Sequence, residues 1–355
     1  MNAQGLAHPL SLGSIVARNP QSGASKEGTL VMITRRNALV MASAAAALPA
    51  VSAAPAFANT PPARTGAQAP GWFRSKVGDY EITAISDGFV QRPLEGFVRN
   101  VEVAEVQKTL AAQGLPGTHI RVPYTTLVVN TGSQVILLDS GNGDFAPGAN
   151  SGQWMANFRA AGFTPEMVNK VILSHFHGDH INGVRNKAGQ LVFPNAELMA
   201  PEAEWAFWMD DARMNNAPDA MKPAFQNVRR VFGPSADKVT RYGWDKEVAP
   251  GVTSVRADGH SPGHTVFVIA SGAGRMMFMA DITNTPVLFA RHPEWQVLFD
   301  MDAQKAIETR KRLLDMVSAD RIRSAFYHGP FPAVGQVSRD GGGYRLDMLP
   351  WQDAL

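Results

Sequence analysis

The chain has 355 residues, 45% hydrophobic and 18% charged, an ordinary globular balance with enough length to bury a large core. It contains no cysteine, which excludes disulfides, thiolate metal ligands and a cysteine nucleophile. The net charge of +2 and pI of 8.9 invite a nucleic-acid reading. However, residues 1–58 hold four of the cations (Arg18, Lys26, Arg35, Arg36) against one anion (Glu27), so the remainder carries about −1 and the basic footprint disappears.

Taken in chain order, the first informative segment is Thr34-Arg35-Arg36-Asn37, followed by the Ala-rich run Ala38–Leu48 and then Ala56-Phe57-Ala58. A charged stretch, a short apolar stretch and an A-x-A site read as an export signal, with the paired arginines resembling the twin-arginine type. The apolar run is too short to span a bilayer as a mature helix; the alternative is a structural amphipathic helix. Met32 is a candidate true start, since it sets the arginines where such signals carry them. The expected location is therefore periplasmic or exported. Residues 59–76 read as a flexible arm, and 77–355 as one globular domain without short-period repeats.

Within that domain, residues 79–88 alternate as a strand running into a turn, and 101–113 have helical character. Residues 125–130 and 134–139 read as strands joined by Thr131-Gly132-Ser133, a hairpin signal. A helix is predicted over 152–161, another from Thr164, and a strand at 197–200. The segment 201–232 is rich in aromatic residues and Met; helices are expected there, broken at Pro218 and Pro223, with the segment as a candidate lid over the site or an ordinary core-facing layer. Strands follow at 252–256, 266–270 and 275–281, then a helix over 303–317 and a last strand at 321–327.

The chemistry concentrates in Ser174-His175-Phe176-His177-Gly178-Asp179-His180, directly after the apolar Val171-Ile172-Leu173. Three imidazoles and a carboxylate at the end of a buried strand are costly unless something binds them, and neutral imidazole suits zinc, iron, cobalt or nickel. In an extended segment His175 and His177 point the same way, while Asp179 and His180 turn toward a second position. Downstream, Gly259-His260-Ser261-Pro262-Gly263-His264 precedes a strand, Asp281 ends one, and His328 ends another. His119 and His292 have no partners in sequence, and His8 belongs to the leader.

This pattern resembles the metallo-β-lactamase superfamily over roughly residues 79–350: His175, His177, Asp179 and His180 match its HxHxDH motif, and His264, Asp281 and His328 its later positions. The resemblance implies a four-layer αβ/βα sandwich of two facing mixed sheets with helices outside. It assigns His175, His177 and His264 to one divalent metal and Asp179, His180 and His328 to the other, with Asp281 bridging. Asp139 and His260 become supporting residues, and Asp179 and Asp281 the catalytic carboxylates. Two ions, Zn(2+) first with Fe, Mn or Co as alternatives, would share a bridging hydroxide as nucleophile.

Softer signals (Ala84–Gly88, His292–Trp295, Phe299-Asp300, His328–Pro332, Gly343–Leu346) resemble the branch of methyl parathion hydrolase and acyl-homoserine lactone lactonases. They imply a small, neutral apolar substrate: a lactone, ester or phosphotriester. Trp205, Phe207, Trp208, Phe289, Trp295 and Phe331 are the candidate aromatic mouth. No nucleic-acid or membrane partner is expected, and the branch suggests a homodimer. A glyoxalase II-like thioesterase, a β-lactamase and a non-catalytic metal-binding protein stay open as alternatives.

Overall fold

A computed structural model describes residues 68–145, 148–351 and 354–355. The export signal, Met32 and His8 lie outside the described residues. Among the described residues, no helix is long and apolar enough to cross a membrane.

Strands β1 (Trp72–Val77), β2 (Tyr80–Pro93), β3 (His119–Asn130), β4 (Val135–Leu138), β5 (Val168–Ile172), β6 (Glu197–Pro201) and β7 (Thr240–Tyr242) form one sheet in that order. The pairs up to β3–β4 are antiparallel, and those from β4 to β7 are parallel. The second sheet holds β8 (Glu247–Ala249), β9 (Val252–Arg256), β10 (Thr265–Ser271), β11 (Gly274–Phe278), β12 (Arg323–Ala325), β13 (Val334–Asp340) and β14 (Gly343–Met348), again neighbour by neighbour. Only β11–β12 is parallel there.

Because strand side chains alternate, each strand feeds two cores. Leu127, Val129, Ile136 and Leu138 point between the sheets, where they meet Phe267, Ile269, Met276 and Phe278. Their neighbours Val128 and Leu137 point outward under Trp154, Phe158, Phe225 and Phe232. On the far side Val266 and Met277 pack under Leu313, Leu314 and Val317. This covering of both faces is why β4, Val135-Ile136-Leu137-Leu138, reads as an unbroken apolar run rather than an alternating one. The helices that cover them are α1 (Val103–Ala111), α2 (Trp154–Ala160), the single turn α3 (Gly178–Ile181), α4 (Glu202–Trp208), α5 (Asp211–Asn216), α6 (Lys222–Phe232), α7 (Pro286–Phe289) and α8 (Ala303–Ala319). The expected four-layer αβ/βα arrangement is what forms.

Four expectations need correction. The arm read over 59–76 ends earlier, since Trp72–Val77 pair with β2 from Trp72↔Ile85 to Val77↔Tyr80. The strand at 323–325 is not the last: a further antiparallel pair, β13–β14, closes the second sheet. Pro223 does not break a helix but sits in the first turn of α6, where its missing N–H has no partner to lose. The 201–232 segment is core rather than lid: Trp208, Phe225, Val228 and Phe232 are buried against the outer face of the first sheet.

Candidate metal centre

Past β5 the chain stays extended through His177 (ψ 149°), then makes the one turn of α3. Extension sends His175 and His177 to the same side, and the turn swings Asp179 and His180 beside them. Asp139, at φ +59° after β4, holds this loop from behind. Its Oδ1 accepts from Ser174 N–H at 2.7 Å, and its Oδ2 accepts from Ser174 Oγ and His180 Nδ1, both at 2.8 Å. Asp139 therefore supports the loop, the role that the family resemblance implied. The Ser174 hydroxyl, spent as a donor on Asp139, accepts from His175 Nδ1 at 2.9 Å.

Glu204, on α4, is a second brace that sequence reasoning missed. It is wholly buried and accepts from Phe176 N–H (3.0 Å), Trp208 Nε1 (2.9 Å), Ser261 Oγ (2.6 Å) and Gly263 N–H (2.6 Å). One carboxylate thus ties the first histidine loop to the loop carrying His260. Burial raises its pKa above the usual carboxylate range against the pull of those four hydrogen bonds. Asp281 and His328 arrive from the second sheet, each three residues beyond the end of its strand, β11 or β12. Ala280, at φ +44°, turns the backbone just before Asp281.

Two groups of convergent donor atoms result: His175, His177, His260 and Asp281, and beside them Asp179, His180 and His328. The Asp281 carboxylate lies between the groups. Its Oδ2 is 3.2 Å from His260 Nε2 and 3.1 Å from His328 Nε2, and its Oδ1 is 3.1 Å from His180 Nε2. His260 Nε2 and His177 Nδ1 are 2.9 Å apart.

His264, the residue the family pattern suggested as ligand, is outside both groups. Its Nδ1 donates to Ala257 O at 3.0 Å and its Nε2 accepts from Asp281 N–H at 3.2 Å, so no lone pair is left for a cation. His260, expected in a supporting role, occupies the position instead. Both residues lie on the same loop four residues apart, and local spacing does not separate them.

Protonation fits a metal centre. Burial, with His180 and His177 close by, holds His175 well below the usual imidazole range, and burial with His260 nearby brings His177 down to about 3. Burial would raise Asp179 and Asp281, but His180 and His328 outweigh it, leaving Asp179 at about 2 and Asp281 well below its usual value. Burial would likewise lower His260 and His180. The carboxylates beside them win, holding His260 up to about 9 and His180 well above 6.5. These two rings carry the positive charge that the carboxylates demand, and divalent cations would displace those protons on binding. His175 Nε2, His180 Nε2 and Asp281 Oδ1 are buried without a hydrogen-bond partner. Three buried polar atoms converging without partners in a protein interior are costly unless a cation binds there, displacing the His180 proton and taking up the lone pairs.

The groups open into a cavity of about 340 Å³, walled by Val90, Val122, Tyr124, Phe145 and Phe299, with Arg92, Asn142, Asn182 and Asn284 as its polar side chains beside the donor atoms. None of the aromatic residues expected at the mouth lines it. Trp205, Phe207 and Trp208 pack on the first sheet, Phe289 and Trp295 fill a separate core cluster, and Phe331 borders a different cavity. His119 bonds Gln91 and Thr118, and His292 stacks on Trp295 at 4.0 Å, both away from the site. Tyr124 and Asn284 carried no motif, and Asn284 stands at φ +46° three residues after Asp281.

A family model described as the metallo-beta-lactamase superfamily matches residues 120–321. An N-acyl homoserine lactonase of Bacillus cereus is 25% identical over 233 residues, covering 60% of this chain and 84% of its own. Among solved structures, AidC, a dizinc quorum-quenching lactonase in complex with a product, is similar with a TM-score of 0.74 and 29% identity over 80% of this chain and 99% of that one. The hydrolase AbOPH is similar with a TM-score of 0.76 and 25% identity over 81% and 100%. With the family match spanning more than half of its length and two donor groups suited to divalent ions, the chain belongs to the metallo-beta-lactamase superfamily and is a metal-dependent hydrolase.

Proposed function

We propose that this protein hydrolyses a neutral, apolar cyclic or open ester, with an acyl-homoserine lactone as the leading substrate class. The observation that carries the reading is the cavity wall. Five apolar or aromatic residues and a single cation, Arg92, surround the donor atoms. A highly charged thioester or nucleotide would want a cluster of cations there, so the glyoxalase II-like alternative is disfavoured. The lactonases among the relatives support the same class.

His175, His177 and His260 would hold one divalent ion and Asp179, His180 and His328 the other, with Asp281 between them; zinc is the metal of choice for imidazole-rich sets. When bound, the pair supplies a hydroxide nucleophile at neutral pH and Lewis-acid polarisation of the ester carbonyl.

The chain's own groups then position the substrate and manage its protons. Tyr124 packs its ring edge against His328 with centroids 5.5 Å apart. Burial, reinforced by Asp179, pushes its phenol above the usual range, so it stays a neutral donor to the carbonyl oxygen. Thr285 Oγ1 donates to Asn284 Oδ1 at 3.0 Å, which leaves the amide nitrogen of Asn284 as a second donor toward the cavity. Asp179 is about a quarter exposed at the cavity wall and is the carboxylate suited to return a proton to the leaving alkoxide. His328 also borders a larger cavity of about 1060 Å³ with Phe89, Leu115, Ile120 and Phe331 on its walls, a volume suited to an apolar acyl tail.

The test is zinc-dependent hydrolysis of a long-chain acyl-homoserine lactone against methyl parathion. Faster lactone turnover supports the proposal, faster phosphotriester turnover reassigns the substrate, and turnover of neither refutes the ester reading. We also propose export, supported by Arg35-Arg36 and Ala56-Phe57-Ala58. Mature protein beginning at Asn59 is the expected result of N-terminal sequencing, and a chain retaining Met32 would refute it.

A further inference from the structure

Arg310 lies in the middle of α8, and its guanidinium is wholly buried. A buried cation is tolerated only when its N–H groups are spent on partners. Its Nε donates to Ile282 O at 2.7 Å, its Nη1 to Pro293 O at 3.0 Å and Trp295 O at 2.7 Å, and its Nη2 to Asp300 Oδ2 at 2.9 Å. The other oxygen of Asp300 accepts from His260 Nδ1 at 2.9 Å. Ile282 is the residue after Asp281. One guanidinium therefore anchors two site-bearing segments, one directly and one through Asp300. The backbone repeats the link: Met301 N–H donates to His260 O at 3.1 Å, and Asp302 N–H to Gly259 O at 2.9 Å.

We propose that Asp300, held in place by Arg310, is the positioning residue that makes His260 a ligand. The proposal rests on reading the histidine–aspartate groups as the metal centre. An ionised carboxylate can only accept, so it keeps the proton of a neutral His260 on Nδ1 and leaves the Nε2 lone pair facing His177 and Asp281. Arg310 fixes which carboxylate oxygen does this, because Oδ2 is already committed to the guanidinium. An asparagine at 300 would reverse the arrangement. Its only oxygen would turn to the cation of Arg310, its NH₂ would face His260 Nδ1, and Nδ1 would have to accept. The imidazole proton then moves to Nε2, and the lone pair aimed at the metal is lost.

The experiment is zinc titration of the full chain against a competing chelator, for wild type, Asp300→Asn, His260→Gln and the double variant, with circular dichroism to follow the fold. Wild type should bind two zinc ions. Asp300→Asn should weaken one of the two by about 10- to 100-fold and spare the other. His260→Gln should lose the same ion, and Asp300→Asn should have no further effect in that background. A purely structural role would weaken both ions and would persist in the double variant; that outcome, or two ions of unchanged affinity in Asp300→Asn, overturns the proposal. Wild type binding fewer than two ions refutes the metal-centre reading itself. If Asp300→Asn does not fold, Asp300→Glu carries the same comparison. It keeps an accepting carboxylate but displaces it by one methylene, and is expected to weaken the same single ion; equal weakening of both ions, or no change, overturns the proposal.

Discussion

Replacing Glu204 by alanine should be among the most damaging single changes outside the ligands themselves. The carboxylate receives four hydrogen bonds in a fully buried position, from Phe176 N–H, Trp208 Nε1, Ser261 Oγ and Gly263 N–H. The serine hydroxyl can rotate to another acceptor, but the two backbone N–H groups and the indole cannot. Three fixed buried donors left without acceptors cost about 1–3 kcal/mol each, so roughly 3–6 kcal/mol is expected once some water enters the space. That is a large share of a stability on the order of 5–15 kcal/mol. Glu204→Gln separates the contributions: its oxygen can keep Ser261 and Gly263, while its NH₂ faces Phe176 and Trp208, two donors. About 2–4 kcal/mol is expected, less than for alanine. Urea denaturation followed by tryptophan fluorescence, at fixed zinc, reads both values. A loss below about 1 kcal/mol for Glu204→Ala would mean that this brace does not hold the two histidine loops together, and the reasoning from satisfied donors would fail.

Four further outcomes are expected. His264→Gln should retain both zinc ions and lose only stability, whereas His260→Ala should lose one ion, as read by metal analysis after dialysis; the reverse pattern would restore His264 as the ligand. Asp281→Ala should abolish most activity and release at least one ion, and full activity with two ions retained would remove its bridging position. Chelation should lower the unfolding midpoint, since each ion present at a thousandfold excess over its Kd contributes about 4 kcal/mol; an unchanged midpoint argues against tight sites. For pH, burial raises Asp87 above 3.8 despite its bonds to Asn142 and Trp154. The folded state then holds more protons than the unfolded state just above pH 3.8, so this group's contribution falls as pH rises through that window. Asp87→Asn should make the slope of stability against pH less negative there, and an unaltered slope would contradict the shift.

The amino-acid sequence alone determined what is local. His175, His177, Asp179 and His180 follow from a strand, an extended step and one turn, all within a few residues, so their convergence is a property of backbone geometry. The layered fold was equally legible, because period-two alternation and unbroken apolar runs record which strands are covered on both faces. The choice between His260 and His264 was not legible, since it depends on Asp300, 40 residues further on, and on the Asp281 N–H that occupies His264 Nε2. The braces Glu204 and Arg310 looked like ordinary helix residues until their loops closed around them. The site walls were misplaced for the same reason. Residue type says that Trp208 and Phe225 want burial, but only the packed sheets decide that they fill the core, while Val90, Tyr124 and Phe299 face the cavity. Hydrophobic burial is non-directional, so composition predicts that such residues are inside and leaves which surface they cover to the tertiary structure.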